Sequence, residues 1–495
     1  MAKPRSRWQS RSTEPETHTQ RDPRPRPPFR GRRAKRRRSG APRHPVARRW
    51  TEAAADWPGS ALLLLVVGLV GSLAFSGVLD GVVVDRGPAL WAVVAVSGAG
   101  ALLGLATRPP DWWRRRAPWV AAATTVVVVL AWAWLRSSGL TGNTPYPASF
   151  LVLAWLALFA LGSGLTGLHT GPQALRTTRI LAGPAAVLGV FLVINAFYGY
   201  WPTVGTLLGH PLPGQVSGHR FAAALRQRKP TTATGELGPV SIPGTAVGFQ
   251  AARAYLWIPP DWSRVRHADL PVIVTLTGIP GTALDWARAG GALAASSTWA
   301  ASHGGLAPPV LMLNQNGLAD HDTECLDSRE GAAYSYLTQV VPHYITHVLG
   351  IRHVSDRWGL VGFSEGGTCS LMLSLTDHRL FGRFVDIAGD AAPDFGPGGR
   401  LTLKVLYHGN RALERAHTPR LLLAHHRYPS LQGWFAAGLQ DRGHRVLEPK
   451  LAADAARAGI RVSTYWAPGH HTWTFARIAF EHLYPSFVRS LLAGR

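Results

Sequence analysis

Apolar and polar residues are arranged on two length scales along this chain of 495 residues. From about residue 60 to 200 the apolar residues form long blocks, near 60–81, 88–107, 117–135, 148–168 and 180–200. About 20 helical residues cross a bilayer, and the second, third and fourth blocks carry few or no charges. The pattern predicts a five-helix transmembrane bundle within 59–201. Beyond about residue 236 the blocks shorten. GPVSIPG and ARAYLWI suit an opening antiparallel pair. PVIVTLTG (271–278), PVLMLNQNG (309–317), RWGLVGFSEGG (357–367), RFVDIAGD (383–390), GWFAAGLQD (433–441) and RVSTYWAPG (461–469) suit buried strands. Helix-compatible stretches lie between them, at 332–348, 367–377, 449–458 and 473–492. Strands alternating with helices predict a mostly parallel sheet with helices on both faces over 236–495. Residues 202–235 have weak periodicity and read as a linker.

Charge gives the bundle an orientation. The formal net charge is +24, but residues 1–50 alone hold 17 Lys/Arg against 3 Asp/Glu. Residues 1–58 are poor in aliphatics and are expected to form a disordered basic tail. Runs such as Arg36-Arg37-Arg38 are read as a topology signal beside the membrane, with no nucleic-acid partner expected. The tail lacks the short n-region and cleavage site of a signal peptide. Arg86 stands alone after the first block and Arg136 alone after the third. Arg108, Arg114, Arg115 and Arg116 follow the second, and Arg176 and Arg179 follow the fourth. Arg and Lys in short loops favour the cytoplasm. The tail is therefore expected inside the cell, and everything after about residue 201 outside the cytoplasm. Trp112, Trp113, Trp132, Trp134 and Trp201 fall near block ends, as interfacial aromatics do. No block carries a charge cluster of the kind that marks an ion path, so the bundle reads as an anchor.

The chemistry lies in the second half. Gly362-Phe363-Ser364-Glu365-Gly366 matches G-x-S-x-G between an apolar strand and a helix-compatible run. In this pattern a serine sits on a sharp strand-to-helix turn, and small residues two before and two after let strand and helix close around it. A serine needs a base, and in the α/β-hydrolase order the acid and then the histidine follow the serine. His471, in Ala467-Pro468-Gly469-His470-His471-Thr472-Trp473, is the expected base, with His470 as the alternative. Asp441 is the expected acid, with Glu448 as the alternative. The oxyanion donors are expected to be the N–H groups of Glu365 and Ile279, because Pro280 has none.

Residues 236–495 resemble the esterase branch of the α/β-hydrolases that includes esterase D-type enzymes and the antigen 85-type mycolyltransferases. The resemblance rests on Trp257-Ile258-Pro259-Pro260, Leu276-Thr277-Gly278-Ile279, the Gly-Phe-Ser-Glu-Gly-Gly elbow and His471-Thr472-Trp473. It implies acyl-ester chemistry with Ser364 as nucleophile, His471 as base and backbone donors at Ile279 and Glu365. Two departures stand out. The family loop often has Asp where this chain has Thr277, and the mycolyltransferases use a Glu as acid and lack the apolar blocks.

Cys325 and Cys369, both on the expected outer side, are read as one disulfide bracing the site. Asp320, Asp322, Glu324 and Asp327 read as a solvated acidic loop, with a divalent cation or a substrate amine as the alternative occupant. No metal-binding motif or phosphate-cradling loop occurs, and no metal or cofactor is expected. The sequence thus points to a membrane-anchored serine esterase with a lipid or other ester substrate. An acyltransferase using the same triad is the nearest rival, and a non-catalytic membrane scaffold the next. Residues 391–430 interrupt the strand pattern and are expected to cover the pocket.

Overall fold

The computed structural model describes residues 64–137, 147–166, 173–227, 232–318, 321–396 and 399–493. The basic tail and Asp320 lie outside these residues. Among the described residues four helices are long and apolar enough to cross a membrane: Gly87–Ala106, Ala117–Ser137, Ala148–Leu165 and one ending at Tyr198. The last of these runs Gln173–Tyr198. The first expected span, 60–81, is not confirmed as a fifth crossing helix: residues 60–63 lie outside the described residues. From Leu64, the first described residue, an apolar helix continues to Phe75. It stops because Gly77 takes the left-handed conformation, with φ 84°. Val83 then forms an antiparallel bridge with Thr203, so the apolar Val82-Val83-Val84 run packs against the segment after the last helix and does not extend a span.

The second half is built on an eight-stranded sheet in the order β1-β2-β4-β3-β7-β8-β9-β10. The strands are β1 (Glu236–Val240), β2 (Ala254–Ile258), β3 (Val272–Leu276), β4 (Val310–Leu313), β7 (Trp358–Phe363), β8 (Arg383–Ile387), β9 (Gln432–Gly438) and β10 (Arg461–Ala467). The remaining two, β5 (Asp327–Ser328) and β6 (Gly331–Ala332), form a separate small hairpin. β2 is antiparallel to both β1 and β4, and the remaining pairs of the large sheet are parallel. β3, β4, β7 and β8 are buried along their whole lengths, as parallel strands covered on both faces must be. One core gathers Trp262, Tyr336, Trp358 and Phe384. The other gathers Trp286, Trp434, Trp473 and Phe487 on the opposite face. The mostly parallel sheet and the opening antiparallel pair thus match the sequence reading.

Residues 202–235, read as a linker, carry helices Val204–Leu208 and Gly218–Gln227. Phe221 is fully buried, and a side chain on Gly238 of β1 would overlap its ring. Cys325 and Cys369 are joined, closing a loop of 44 residues and tying the segment after β4 to the helix Glu365–Thr376. The segment expected as a cover holds three helices: Gly399–Leu406, Arg411–Ala416 and Pro419–His425.

Candidate active site

β7 lies in the middle of the sheet, between β3 and β8. The next residue, Ser364, has φ 60° and ψ −123°, a strained conformation for a residue with a side chain. The strain is imposed locally. The helix Glu365–Thr376 starts at once, and a Cβ on Gly362 would overlap the Gly366 carbonyl. A Cβ on Gly366 would overlap the carbonyl oxygens of Leu276 and Thr277. Only glycines let strand, helix and β3 loop converge here, and the convergence pushes the Ser364 side chain to the C-terminal edge of the sheet.

The two predicted partners reach that edge from neighbouring loops. Asp441 follows β9 and His471 follows β10. The Ser364 hydroxyl donates to His471 Nε2 at 2.8 Å. His471 Nδ1–H donates to Asp441 Oδ2, also at 2.8 Å. His470 instead lies exposed, its ring 4.8 Å from that of Phe197. Glu448 is fully buried elsewhere. It shares the Gly389 N–H with Asp386, at 2.6 and 3.0 Å respectively. The alternatives His470 and Glu448 are thus not in the hydrogen-bonded chain.

A residue that sequence reasoning passed over joins the chain. His444 Nδ1 contacts both Asp441 oxygens, at 3.1 and 3.0 Å. Its Nε2 lies 3.4 Å from Asp390 Oδ1, and its ring stacks on His471 with centroids 4.6 Å apart. Burial disfavours the charged form of His444, but hydrogen bonds to Asp390 and Asp441 outweigh it and push its pKa up to about 10. Burial likewise opposes ionisation of Asp441, yet its hydrogen bonds from His444 and His471 hold it well below the usual carboxylate range. Asp441 is therefore an anion between two imidazoles, which fixes His471 Nδ1 as a donor and leaves Nε2 to accept from Ser364. Burial, reinforced by the charge of His444 and opposed by the hydrogen bond to Asp441, pulls the His471 pKa below its ordinary value. A histidine held neutral beside a serine is chemically a base. The signal for His444 was its position three residues after Asp441, at the start of the helix His444–Arg457.

The expected oxyanion loop abuts the nucleophile. A Cβ built on Gly278 would lie 3.2 Å from Ser364 Cβ, and Ile279 follows, joined to Pro280 by a cis peptide. Glu365 opens the elbow helix, where the first N–H groups have no intrahelical acceptor. The NQN tripeptide after β4 braces both. Gln315 Oε1 accepts from Thr277 N–H at 3.0 Å and its Nε2 donates to Thr277 O at 2.7 Å. Asn316 Nδ2 donates to Glu365 Oε2 at 2.8 Å.

The acidic segment departs from expectation. Glu324 is buried and Asp322 half-buried, so this is not a solvated loop. The disulfide draws the segment inward: Cys325 is fully buried, and Glu324 and Cys325 both take positive φ, 47° and 57°. Burial, and then the charges of neighbouring acids, raise Glu324 and Glu365 well above the ordinary carboxyl value and Asp322 to about 7. Among the described acids of this segment Asp327 is the exposed one, accepting from Ser335 N–H at 2.9 Å and its hydroxyl at 2.5 Å. Asp441, His444 and His471 present ligand atoms within 4.8 Å of one another. A metal there would take the His471 nitrogen that faces Asp441 or Ser364, so it would break the hydrogen-bonded chain.

Over 412 residues the chain is 28% identical to an uncharacterized protein of Corynebacterium glutamicum, covering 79% of this chain and 93% of that one. No family model matches. Among solved structures it is similar to an S-formylglutathione hydrolase from Agrobacterium tumefaciens, with a TM-score of 0.44 and 18% identity over 53% of this chain and 97% of that one. It is similar also to the fluorophosphonate-binding serine hydrolase F of Staphylococcus aureus (0.41, 16%, 51% and 98%). A third is MPT51 of Mycobacterium tuberculosis (0.34, 13%, 48% and 93%). The chain's own strand order, with β2 alone reversed and the serine elbow after the central strand, gives its second half the architecture of an α/β-hydrolase.

Proposed function

We propose that this protein is a membrane-anchored serine esterase that hydrolyses an acyl ester, of a lipid or another ester substrate, on the non-cytoplasmic side. The observation that carries this reading is the pair of 2.8 Å hydrogen bonds linking Ser364, His471 and Asp441 at a strained elbow. Ser364 Oγ attacks the ester carbonyl carbon while His471 Nε2 takes its proton. Asp441 holds the imidazole in the needed tautomer and stabilises the imidazolium. The carbonyl oxygen, now an oxyanion, meets the N–H groups of Ile279 and Glu365. The C–O bond breaks, the alcohol leaves with the proton from His471, and water repeats the sequence on the acyl-enzyme.

The topology has its own support. Arg116 donates to Thr166 O at 2.5 Å and Arg179 Nε to Thr107 Oγ1 at 3.2 Å, so these arginines gather at one end of the bundle. The catalytic domain follows Tyr198, at the other end of the last helix. Arginine-rich ends favour the cytoplasm.

The test is fluorophosphonate labelling of the full-length protein in membranes, beside Ser364→Ala. Labelling confined to the wild type is expected. Equal labelling of both, or none in folded wild type, rejects the reading.

A further inference from the structure

We infer that the last apolar helix is part of the catalytic centre, and that the scissile ester belongs to a lipid in the leaflet beside it; this rests on the esterase reading above. The helix Gln173–Tyr198 does not end in a loose tether. Asn195, nearly fully buried, donates to Trp201 O at 2.8 Å and accepts from Trp201 N–H at 3.0 Å. This pair fastens the exit turn to the helix. Gly199 in that turn has φ 73° and is buried. Any Cβ there would overlap Thr474 at the start of the closing helix. The turn therefore sits directly on the segment that carries His471.

It also holds the other catalytic loop. The Tyr200 hydroxyl donates to Pro280 O at 3.1 Å, next to the expected oxyanion donor Ile279. The Tyr200 ring lies 6.4 Å from Trp473 and the Phe197 ring 4.8 Å from His470. Further out, Arg477 of the closing helix pairs at 3.3 Å with Asp85, whose side chain is almost wholly buried. Base loop and oxyanion loop are thus both seated on one end of the bundle. An anchor that only tethered its domain would need none of these contacts.

The same contacts set the depth of the site. Phe197, Tyr198, Tyr200 and Trp201 cluster at the helix end, and such aromatics settle in the interfacial layer, roughly 5–8 Å deep on each side of the hydrocarbon. His470 touches Phe197, and its neighbour His471 holds Ser364. The nucleophile is therefore two side-chain contacts from the last helical turn. Leu318 and Leu439, which follow β4 and β9 at the same sheet edge, are 39% and 47% exposed. They give that edge an apolar rim. Esters joining acyl groups to a lipid's glycerol or headgroup lie at this depth, so they reach Ser364 without leaving the bilayer. Tyr200 and Gly199 act as positioning residues.

The experiment measures labelling kinetics of the full chain in phosphatidylglycerol-containing vesicles with two probes: a hexadecyl fluorophosphonate that resides in the bilayer, and a short water-soluble one. In each case a Ser364 Oγ–P bond forms and fluoride leaves, so no knowledge of the natural ester is needed. The hexadecyl probe is expected to react at least about 10-fold faster at equal total amounts, from its concentration in the leaflet beside the site. Gly199→Val is expected to lower the limiting labelling rate about 10-fold, and Tyr200→Phe about 3-fold, with half-saturation unchanged, because small displacements of catalytic loops are costly. Tyr200→Phe removes one oxygen and keeps the ring, which guards against a variant that merely misfolds. A soluble probe that reacts as fast overturns the lipid assignment. Wild-type limiting rates in both variants overturn the role of the helix. Absence of labelling in the wild type strikes the esterase reading instead.

Discussion

The two halves of this protein use the same apolar residue types in opposite ways. In the bundle the large side chains point outward: Trp91, Val96, Leu102 and Trp119 are exposed. Only 11–33% of each long helix is buried. Where these helices meet, small residues face the neighbour: Gly104 against Ala182, Gly162 against Val120 and Gly189 against Ser97. That is the packing expected where lipid is the solvent and apolar burial gains nothing. In the catalytic domain Trp257, Trp286, Trp358 and Trp434 are buried, and the informative residues are the polar exceptions among them. Solvent decides which face of a pattern is outside. The candidate site lies where the two regimes meet, and it borrows structure from both.

The sharpest break within the catalytic half is between two buried acids. Asp441→Asn is expected to lower ester turnover about 10⁴-fold, because the amide stabilises the wrong His471 tautomer and no imidazolium. Glu448→Gln is expected to stay within about 10-fold of wild type, since Glu448 bonds Gly389 and not a histidine. Turnover by both variants, measured on one ester in the same membranes, decides the assignment. The reverse ranking would move the acid to Glu448.

How much of this was legible follows from how local each signal is. The elbow was readable because its steric rule acts within five residues, Gly362 to Gly366, and Asp441 and His471 followed from their order along the chain. The bundle was readable as hydropathy, but the end of its first block was not: the apolar run 60–81 gives no sign that Gly77 turns the chain or that Val83 pairs with Thr203. β9 ends at Gly438, short of the expected Asp441, because the chain curls there and Asp441 N–H donates to Gly438 O at 3.0 Å. Burial of Glu324 and Glu365 was illegible. Each looks like an ordinary surface or first-turn acid, and only the disulfide and the NQN clamp fold them inward. His444 was missed for the same reason, since its partners Asp390 and His471 are brought together by the sheet and not by spacing.

A leucine from each half tests the contrast directly. Leu360 of β7 is 1% exposed and Leu102 of the second apolar helix 70% exposed. Leu360→Ala is expected to destabilise by about 2–5 kcal/mol. Leu102→Ala, in bilayers, is expected to cost less than about 0.5 kcal/mol, as for a surface site. Denaturation midpoints of the two variants in the same vesicles provide the comparison. Comparable losses would mean that Leu102 faces a protein partner and not lipid.

Smaller still is the effect of a buried carboxyl pair. Asp386 is fully buried; burial raises its pKa to about 7, with the Gly389 hydrogen bond, His444 and Glu448 opposing the rise and Asp390 adding to it. The folded state therefore keeps a proton that the unfolded chain releases near pH 4. Stability from this group falls as pH rises from about 4 to about 7. Asp386→Asn removes that loss. The variant is expected to match wild type near pH 4 and to gain on the order of 1–2 kcal/mol by pH 8. A gain independent of pH, or a loss at pH 8, would show that the carboxylate is ionised and satisfied.

The subtlest effect belongs to His444, and it is read in a pH profile. The groups facing it are Asp441, Asp390 and His471, with Asp386 close behind. With its pKa pushed up to about 10, His444 is a cation at neutral pH, and it acts on His471 in two opposed ways. Its charge lowers the His471 pKa directly, while it also holds Asp441 ionised, which raises it. Asp441 stays bound to His471 in His444→Gln, so the direct repulsion between the two imidazoles is what the substitution removes. The acid limb of turnover is therefore expected to move to higher pH, by about half a unit. Stability carries the complementary sign. The His444 contribution is fully present below pH 6.5 and is lost as pH rises through about 10, so wild type and His444→Gln should converge in stability at alkaline pH. An acid limb that moves the other way would mean that His444 acts on the base mainly through Asp441, as a holder of the acid.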